Sequence, residues 1–117
     1  PFKVEVNEKL VTFLEDNSLK VAGMKALEPA PSPEEVVRLP TTVAYRLAKE
    51  ALQPDSDCVF ICATDLPAMA VIDALERDLR KPVISTNQAI LWDMLRLINT
   101  KTSIAGFGSL LQNQPSL

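Results

Sequence analysis

The stretch from Asp57 to Ala89 limits the architecture more than any other part of the chain. Cys58-Val59-Phe60-Ile61-Cys62 is a short apolar run rich in β-branched and aromatic side chains, with Pro54, Asp55, Ser56 and Asp57 before it. That is the pattern of a fully buried strand. The period changes at Ala63-Thr64-Asp65. Thr64 and Asp65 are helix-capping residues, Pro67 suits a first helical turn, and Ala68, Met69, Ile72, Leu75 and Leu79 recur at helical spacing up to Lys81. Pro82-Val83-Ile84 reads as a second strand, and Ser85-Thr86-Asn87 caps a second helix from Gln88. A strand–helix–strand–helix run of this length is a βαβα unit, which makes a parallel sheet with right-handed crossovers.

The flanking segments extend this unit. Pro1 to Asn17 reads as a helix with Val6, Leu10, Phe13 and Leu14 on one face. Leu19 to Leu27 alternates around Val21 and Met24 and reads as a strand with Gly23 inside it. After a proline-rich loop, Ser32-Pro33-Glu34-Glu35 starts a helix with acids in its first turn. Pro40-Thr41-Thr42 restarts one whose inner face is Ala44, Leu47, Ala48 and Ala51. The last long helix carries Ile90, Leu91, Met94, Leu95 and Ile98 on one side, and Asn99-Thr100-Lys101 stops it. Ile104 to Leu111 is a short segment interrupted by glycine, and residues 112–117 read as a loose polar tail. The expected fold is therefore α/β, a three-layer αβα arrangement with a short parallel sheet of three strands, in one domain over residues 1–111.

The βαβα geometry singles out Cys62. It ends its strand where the next helix is expected to begin, and open α/β sheets bind ligands outside the carboxyl ends of their strands. A helix N-terminus favours thiolate over thiol. The amides of Ala63, Thr64 and Asp65 would face the same spot and suit a carboxylate or oxyanion. Ser85, Thr86 and Asn87 come beside it at the end of the neighbouring strand. Cys58 reads as a core filler. Asp65 reads as a helix cap with a carboxylate near the thiol, Trp92 as core or a partner contact, and Glu76-Arg77-Asp78 as a solvated face. Tyr45, on a packing helix, reads as structural.

Composition removes most other chemistries. There is no His, which leaves no Ser-His-Asp triad and argues against a zinc site; the three Gly form no phosphate-cradling loop. No metal and no cofactor is expected. The two Cys are four positions apart on one strand, roughly 13 Å at the rise per residue, too far to bond to each other. With no signal segment, this fits a reducing, cytoplasmic setting. A net charge of −3 without a basic cluster gives no reason to expect nucleic acid or a membrane surface as partner. A thiol, carboxylates and backbone dipoles remain.

Cys62-Ala63-Thr64-Asp65-Leu66-Pro67, the helix Val71-Ile72-Asp73-Ala74-Leu75-Glu76, the segment Lys81-Pro82-Val83-Ile84-Ser85-Thr86-Asn87-Gln88-Ala89 and then Leu91-Trp92 resemble the second half of the aspartate/glutamate racemase superfamily. The nearest branch is that of maleate isomerases and arylmalonate decarboxylases. The resemblance runs from Pro1 to about Leu111. It implies one half of a two-domain, cofactor-independent enzyme that acts on a small dicarboxylate or arylmalonate-like substrate as isomerase, decarboxylase or racemase. Cys62 is then the catalytic thiol. Phe2, Asn7, Ala63, Thr64, Asp65 and Ser85 are the implied substrate-binding positions. Phe2 stands where the family has the phenol of a Thr-Pro-Tyr turn, and Pro33 where many members have Asn; both departures weigh against maleate isomerase activity.

On this resemblance the chain is expected to be a fragment, inactive alone, that opens just after the turn of a missing leading strand. Its partner is then the missing N-terminal half or another copy of itself. The alternative is a truncated, non-catalytic relative that acts as a self-associating α/β module. Self-association would use Val6, Leu10 and Phe13 on the first helix and Ile90, Leu91 and Trp92 on the last.

Overall fold

The structure is a computed structural model and describes residues 1–113. Helix α1 (Val4–Asp16) opens the fold, followed by the short α2 (Pro33–Val36) and by α3 (Thr41–Ala51). Strand β1 (Val59–Ile61) leads through a 3-10 turn (Met69–Val71) into α4 (Ile72–Leu79), and β2 (Val83–Ser85) leads into α5 (Thr86–Leu97). Helix α6 (Ser109–Gln112) is the last element among the described residues, so Gln112 belongs to a helix, and the expected loose tail beyond Asn113 lies outside them.

The two strands pair in parallel, Val59 with Val83, Phe60 with Ile84 and Ile61 with Ser85, as the βαβα pattern predicts. The architecture is α/β. Burial alternates along β1 rather than being complete. Val59, Ile61, Val83 and Ser85 are buried on one face, while Phe60 on the other is 41% exposed. Helix α3 packs on β1 and α4, and α4 and α5 pack on β2. Ile72 and Leu75 of α4, Ala44 and Ala48 of α3 and Val36 fill the core between them. At about 25 cal/mol per Å² of apolar area, burying each of the larger aliphatic side chains here contributes about 1.5–3 kcal/mol.

Local chemistry explains the helix ends. Ser32 caps α2 in a capping box with Glu35, as the Ser-Pro-Glu-Glu pattern predicts. Asn17 follows α1, and Ser18 turns the chain away with φ +66°. Two glycines are required by contacts. A Cβ on Gly23 would lie 2.7 Å from the Ala51 carbonyl oxygen, so the chain at Gly23 runs close to the end of α3. A Cβ on Gly108, at φ +88°, would lie 2.6 Å from Ile72 Cγ2.

Four sequence expectations change here. Leu19 to Leu27 forms no strand: alternation needs a neighbour to pair with, and among the described residues no backbone-to-backbone hydrogen bond involves residues 20–31. The sheet therefore has two strands. Cys58 is exposed rather than core, because it precedes the first paired residue. Helix α1 buries no residue, and Val6 and Phe13 face outward; Asn7, Leu10, Val11 and Leu14 form its half-buried side. Glu76 is not simply solvated. Its Oε1 accepts from Val83 N–H and Ser109 O–H, and its Oε2 from Ser109 N–H, at 2.8–3.0 Å. With Asp73 Oδ1 accepting from Gly108 N–H at 2.6 Å, it holds the 107–111 segment against α4.

Candidate active site

Cys62 follows Ile61, the last residue of β1 to pair, and so comes level with Thr86, the first residue of α5. The thiol is half-buried. Ala63 then takes φ +156°, a positive value that non-glycine residues rarely adopt, and is itself buried. Residues 64–66 bend, and α4 does not begin until Ile72. Thr64 and Asp65 therefore cap no helix. The α4 N-cap is Val71 and the preceding 3-10 turn starts after Ala68, because the bend and Pro67 delay the first helical hydrogen bonds. The helix terminus beside the thiol is that of α5, which Cys62 reaches through strand pairing rather than through its own chain.

The α5 terminus is built by a capping box. Ser85 Oγ accepts from Gln88 N–H at 3.2 Å, and Gln88 Oε1 accepts from Ser85 N–H at 2.7 Å. Gln88 is fully buried, and its Nε2 donates to the Phe107 carbonyl. Ser85 is 3% exposed, and its hydroxyl also points at Met69 Sδ, 3.5 Å away. Ser85 is thus enclosed, and its hydroxyl and N–H are engaged in the cap that starts α5.

Two further side chains from the first turn of α5 reach across to the thiol-bearing segment. Thr86 Oγ1 donates to the Ile61 carbonyl at 3.4 Å, and Asn87 Nδ2 donates to the Thr64 carbonyl at 3.0 Å. The sequence reading placed Thr86 and Asn87 next to Cys62 but gave them only a capping role. The parallel pairing of the two strands is the signal that assigns them these contacts. Among the described residues, no amide from Ala63 to Asp65 donates to a backbone carbonyl. Three N–H groups near the thiol are thus free of backbone partners, as an oxyanion or carboxylate site requires.

Phe2 packs on the core, and its carbonyl accepts from Asn7 Nδ2 at 3.1 Å. Phe2 and Asn7 line a shallow groove of about 390 Å³ with Leu27 and Pro29, whereas Cys62, Ala63, Thr64, Asp65 and Ser85 do not. The structure thus gathers the five residues at the strand ends, while Phe2 and Asn7 line a groove that none of the five enters. Trp92 is half-buried under the Arg96 guanidinium, 5.6 Å from ring centroid to Cζ, and its Nε1 has no partner among the described residues.

A family description for arylmalonate decarboxylase matches residues 1–111. The chain belongs to the arylmalonate decarboxylase family. It is 34% identical over 95 residues to arylmalonate decarboxylase of Bordetella bronchiseptica, an alignment that takes in 80% of this chain and 39% of that protein. Its fold superposes on the maleate isomerase of Pseudomonas putida with a TM-score of 0.90 at 25% identity, covering 98% of this chain and 46% of that one. It also superposes on a maleate cis-trans isomerase variant of Nocardia farcinica, solved with a covalently bound succinylcysteine intermediate. There the TM-score is 0.88 at 26% identity, over 96% of this chain and 46% of that one. The chain spans less than half the length of each of these relatives. Membership places it in the racemase-like superfamily that the sequence resemblance named.

Proposed function

We propose that the chain is the cysteine-bearing half of a cofactor-independent enzyme of small dicarboxylic acids, with Cys62 as its thiol. The observation that carries this reading is the position of Cys62. It sits at the carboxyl end of β1, level with the start of α5 and followed by three amides without backbone partners. The amides of Ala63, Thr64 and Asp65 hold a substrate carboxylate or the negative charge that develops on it. Cys62 gives a proton to the carbon α to that carboxylate after carbon dioxide leaves, and water restores the thiol. The identity to the decarboxylase, 34%, exceeds the 25–26% to the isomerases and favours proton transfer over addition of sulfur to an alkene.

The remaining groups come from a second α/β half, either the N-terminal half of a longer enzyme or another copy of this chain. The test supplies that half. The chain is mixed with the N-terminal half of the Bordetella bronchiseptica relative and assayed with phenylmalonate and with maleate. We expect no turnover by the chain alone, because positioning shared across two halves is worth several kcal/mol. We expect turnover of phenylmalonate by the mixture, lost in Cys62→Ser. Turnover of maleate with a cysteine adduct would assign addition chemistry instead. Turnover by the chain alone that survives Cys62→Ser would overturn the reading.

The non-catalytic reading rests on a different observation. Ile90, Met94, Leu97 and Ile98 lie along one side of α5 and are 48–69% exposed, which suits a surface that another subunit covers. It gains over the first reading only if Cys62 proves no more reactive than the exposed Cys58.

A further inference from the structure

The segment that carries Cys62 has little to hold its shape. Among the described residues, no backbone-to-backbone hydrogen bond involves residues 62–67. Within it Ala63 sits at φ +156°, a conformation that persists only when the surroundings impose it. One side chain grips the middle of the segment: Asn87, whose Nδ2 donates to the Thr64 carbonyl at 3.0 Å. Thr86 holds only the residue before it, through the Ile61 carbonyl. Asn87 itself stands on firm ground, one position before the fully buried Gln88 of the α5 capping box.

We propose that Asn87 is a positioning residue, which fixes the Ala63–Thr64–Asp65 turn so that its amides stay aimed at the carboxylate beside Cys62. This rests on the reading of Cys62 as the working thiol. Asn87 touches neither the thiol nor a substrate in this role. It acts through the Thr64 carbonyl, whose peptide plane also carries the Asp65 N–H. Rotation of that plane would swing the Asp65 amide, and the unsupported positive φ at Ala63 would relax with it.

Two measurements on the isolated chain, in a Cys58→Ser background, separate the proposal from the reading beneath it. The first is the NMR order parameters of the residue 63–65 amides. In Asn87→Ala, and in the near-isosteric Asn87→Asp, which has no amide donor, these should fall from about 0.85 to below about 0.6 while those in α4 and α5 stay unchanged. The second is alkylation of Cys62 by iodoacetate relative to iodoacetamide. The two reagents are alike in size, but only iodoacetate presents a carboxylate to the amides. The wild type should prefer iodoacetate more than a cysteine in an unfolded peptide does. Both variants should cut that ratio about tenfold and leave the iodoacetamide rate within about twofold, in line with the cost of small misplacements in a site. Unchanged order parameters, or an equal fall in rate with both reagents, overturn the positioning role whatever Cys62 does. Lowered order parameters in the variants, with no iodoacetate preference in the wild type, show that Asn87 holds the turn. That result overturns the site reading, and the positioning role with it.

Discussion

Replacing Gly108 by alanine should destabilise the fold by about 2–5 kcal/mol, and the structure says where that cost arises. Gly108 has φ +88°, where an L side chain costs about 1–2 kcal/mol. An added Cβ would also lie 2.6 Å from Ile72 Cγ2 and 2.9 Å from Gln88 Nε2. Both neighbours belong to side chains with 0% exposure, so neither can swing into solvent, and overpacking of this kind costs about 1–3 kcal/mol. The clash falls on connected parts. Gly108 N–H is bound to Asp73, and Gln88 both donates to the Phe107 carbonyl and closes the cap on which α5 starts. Gly106 supplies the control. Its φ is +90°, almost the same, but a Cβ there meets nothing within 4 Å. Gly106→Ala therefore isolates the backbone term, about 1–2 kcal/mol. Urea unfolding of the two variants and the parent, at equal protein concentration, measures both. Equal losses in the two alanine variants would refute the packing argument and leave only backbone strain.

Other perturbations test separate links. Glu76→Ala removes a carboxylate that accepts three hydrogen bonds and joins α4, β2 and α6, and should cost about 2–4 kcal/mol by urea unfolding. Ala63→Gly should leave stability unchanged or raise it by up to about 1 kcal/mol, because relief at φ +156° offsets the entropy of glycine; a clear loss would show that the turn is unstrained. The Tyr45 phenol donates to Asp78, and that hydrogen bond raises its pKa above 10.0. Its contribution is therefore fully present below pH 10.0 and lost as pH rises through the raised value, so the stability gap between parent and Tyr45→Phe should close in that alkaline window. Sedimentation at micromolar concentration should give a mass above 12.9 kDa that falls in Met94→Glu with Leu97→Glu; a concentration-independent 12.9 kDa species in the parent would refute association through α5.

The two strands and the helices after them were legible because each is announced locally. Val59-Phe60-Ile61 and Val83-Ile84 are β-branched or aromatic runs behind turn residues, and Ser85 with Gln88 has the spacing of a capping box. What failed depended on partners the sequence does not name. The alternation from Leu19 to Leu27 describes a ribbon that fits a sheet, but none of residues 20–31 finds a backbone partner among the described residues. The stripe on α1 has helical spacing, yet spacing does not say what lies opposite, and Val6 and Phe13 are left facing outward. Glu76 looked solvated because it neighbours Arg77 and Asp78, while the donors it serves are Val83 and the distant Ser109.

The site shows the same division within a few residues. Cys62 stood out because a cysteine after an apolar run, in a βαβ pattern, marks the carboxyl end of a strand, and β1 does end at Ile61. The reason first given for its special position does not hold in the structure: Thr64 and Asp65 start no helix, and α4 begins at Ile72. The position survives because a parallel pair brings both strand ends to one edge. Once Ile61 is paired with Ser85, Cys62 must arrive beside Thr86, and the terminus of α5 takes over the place given to the terminus of α4. The same pairing accounts for Asn87, which has no local reason to matter yet reaches Thr64, 23 positions earlier, only because the strands run in step. A one-residue slip in that register would move the Asn87 contact off the turn and turn the Cys62 side chain to the other face of the sheet. The residues that set the register, Val59 and Val83 in the core and the Ser85–Gln88 cap at the end, therefore decide where Cys62 stands relative to α5.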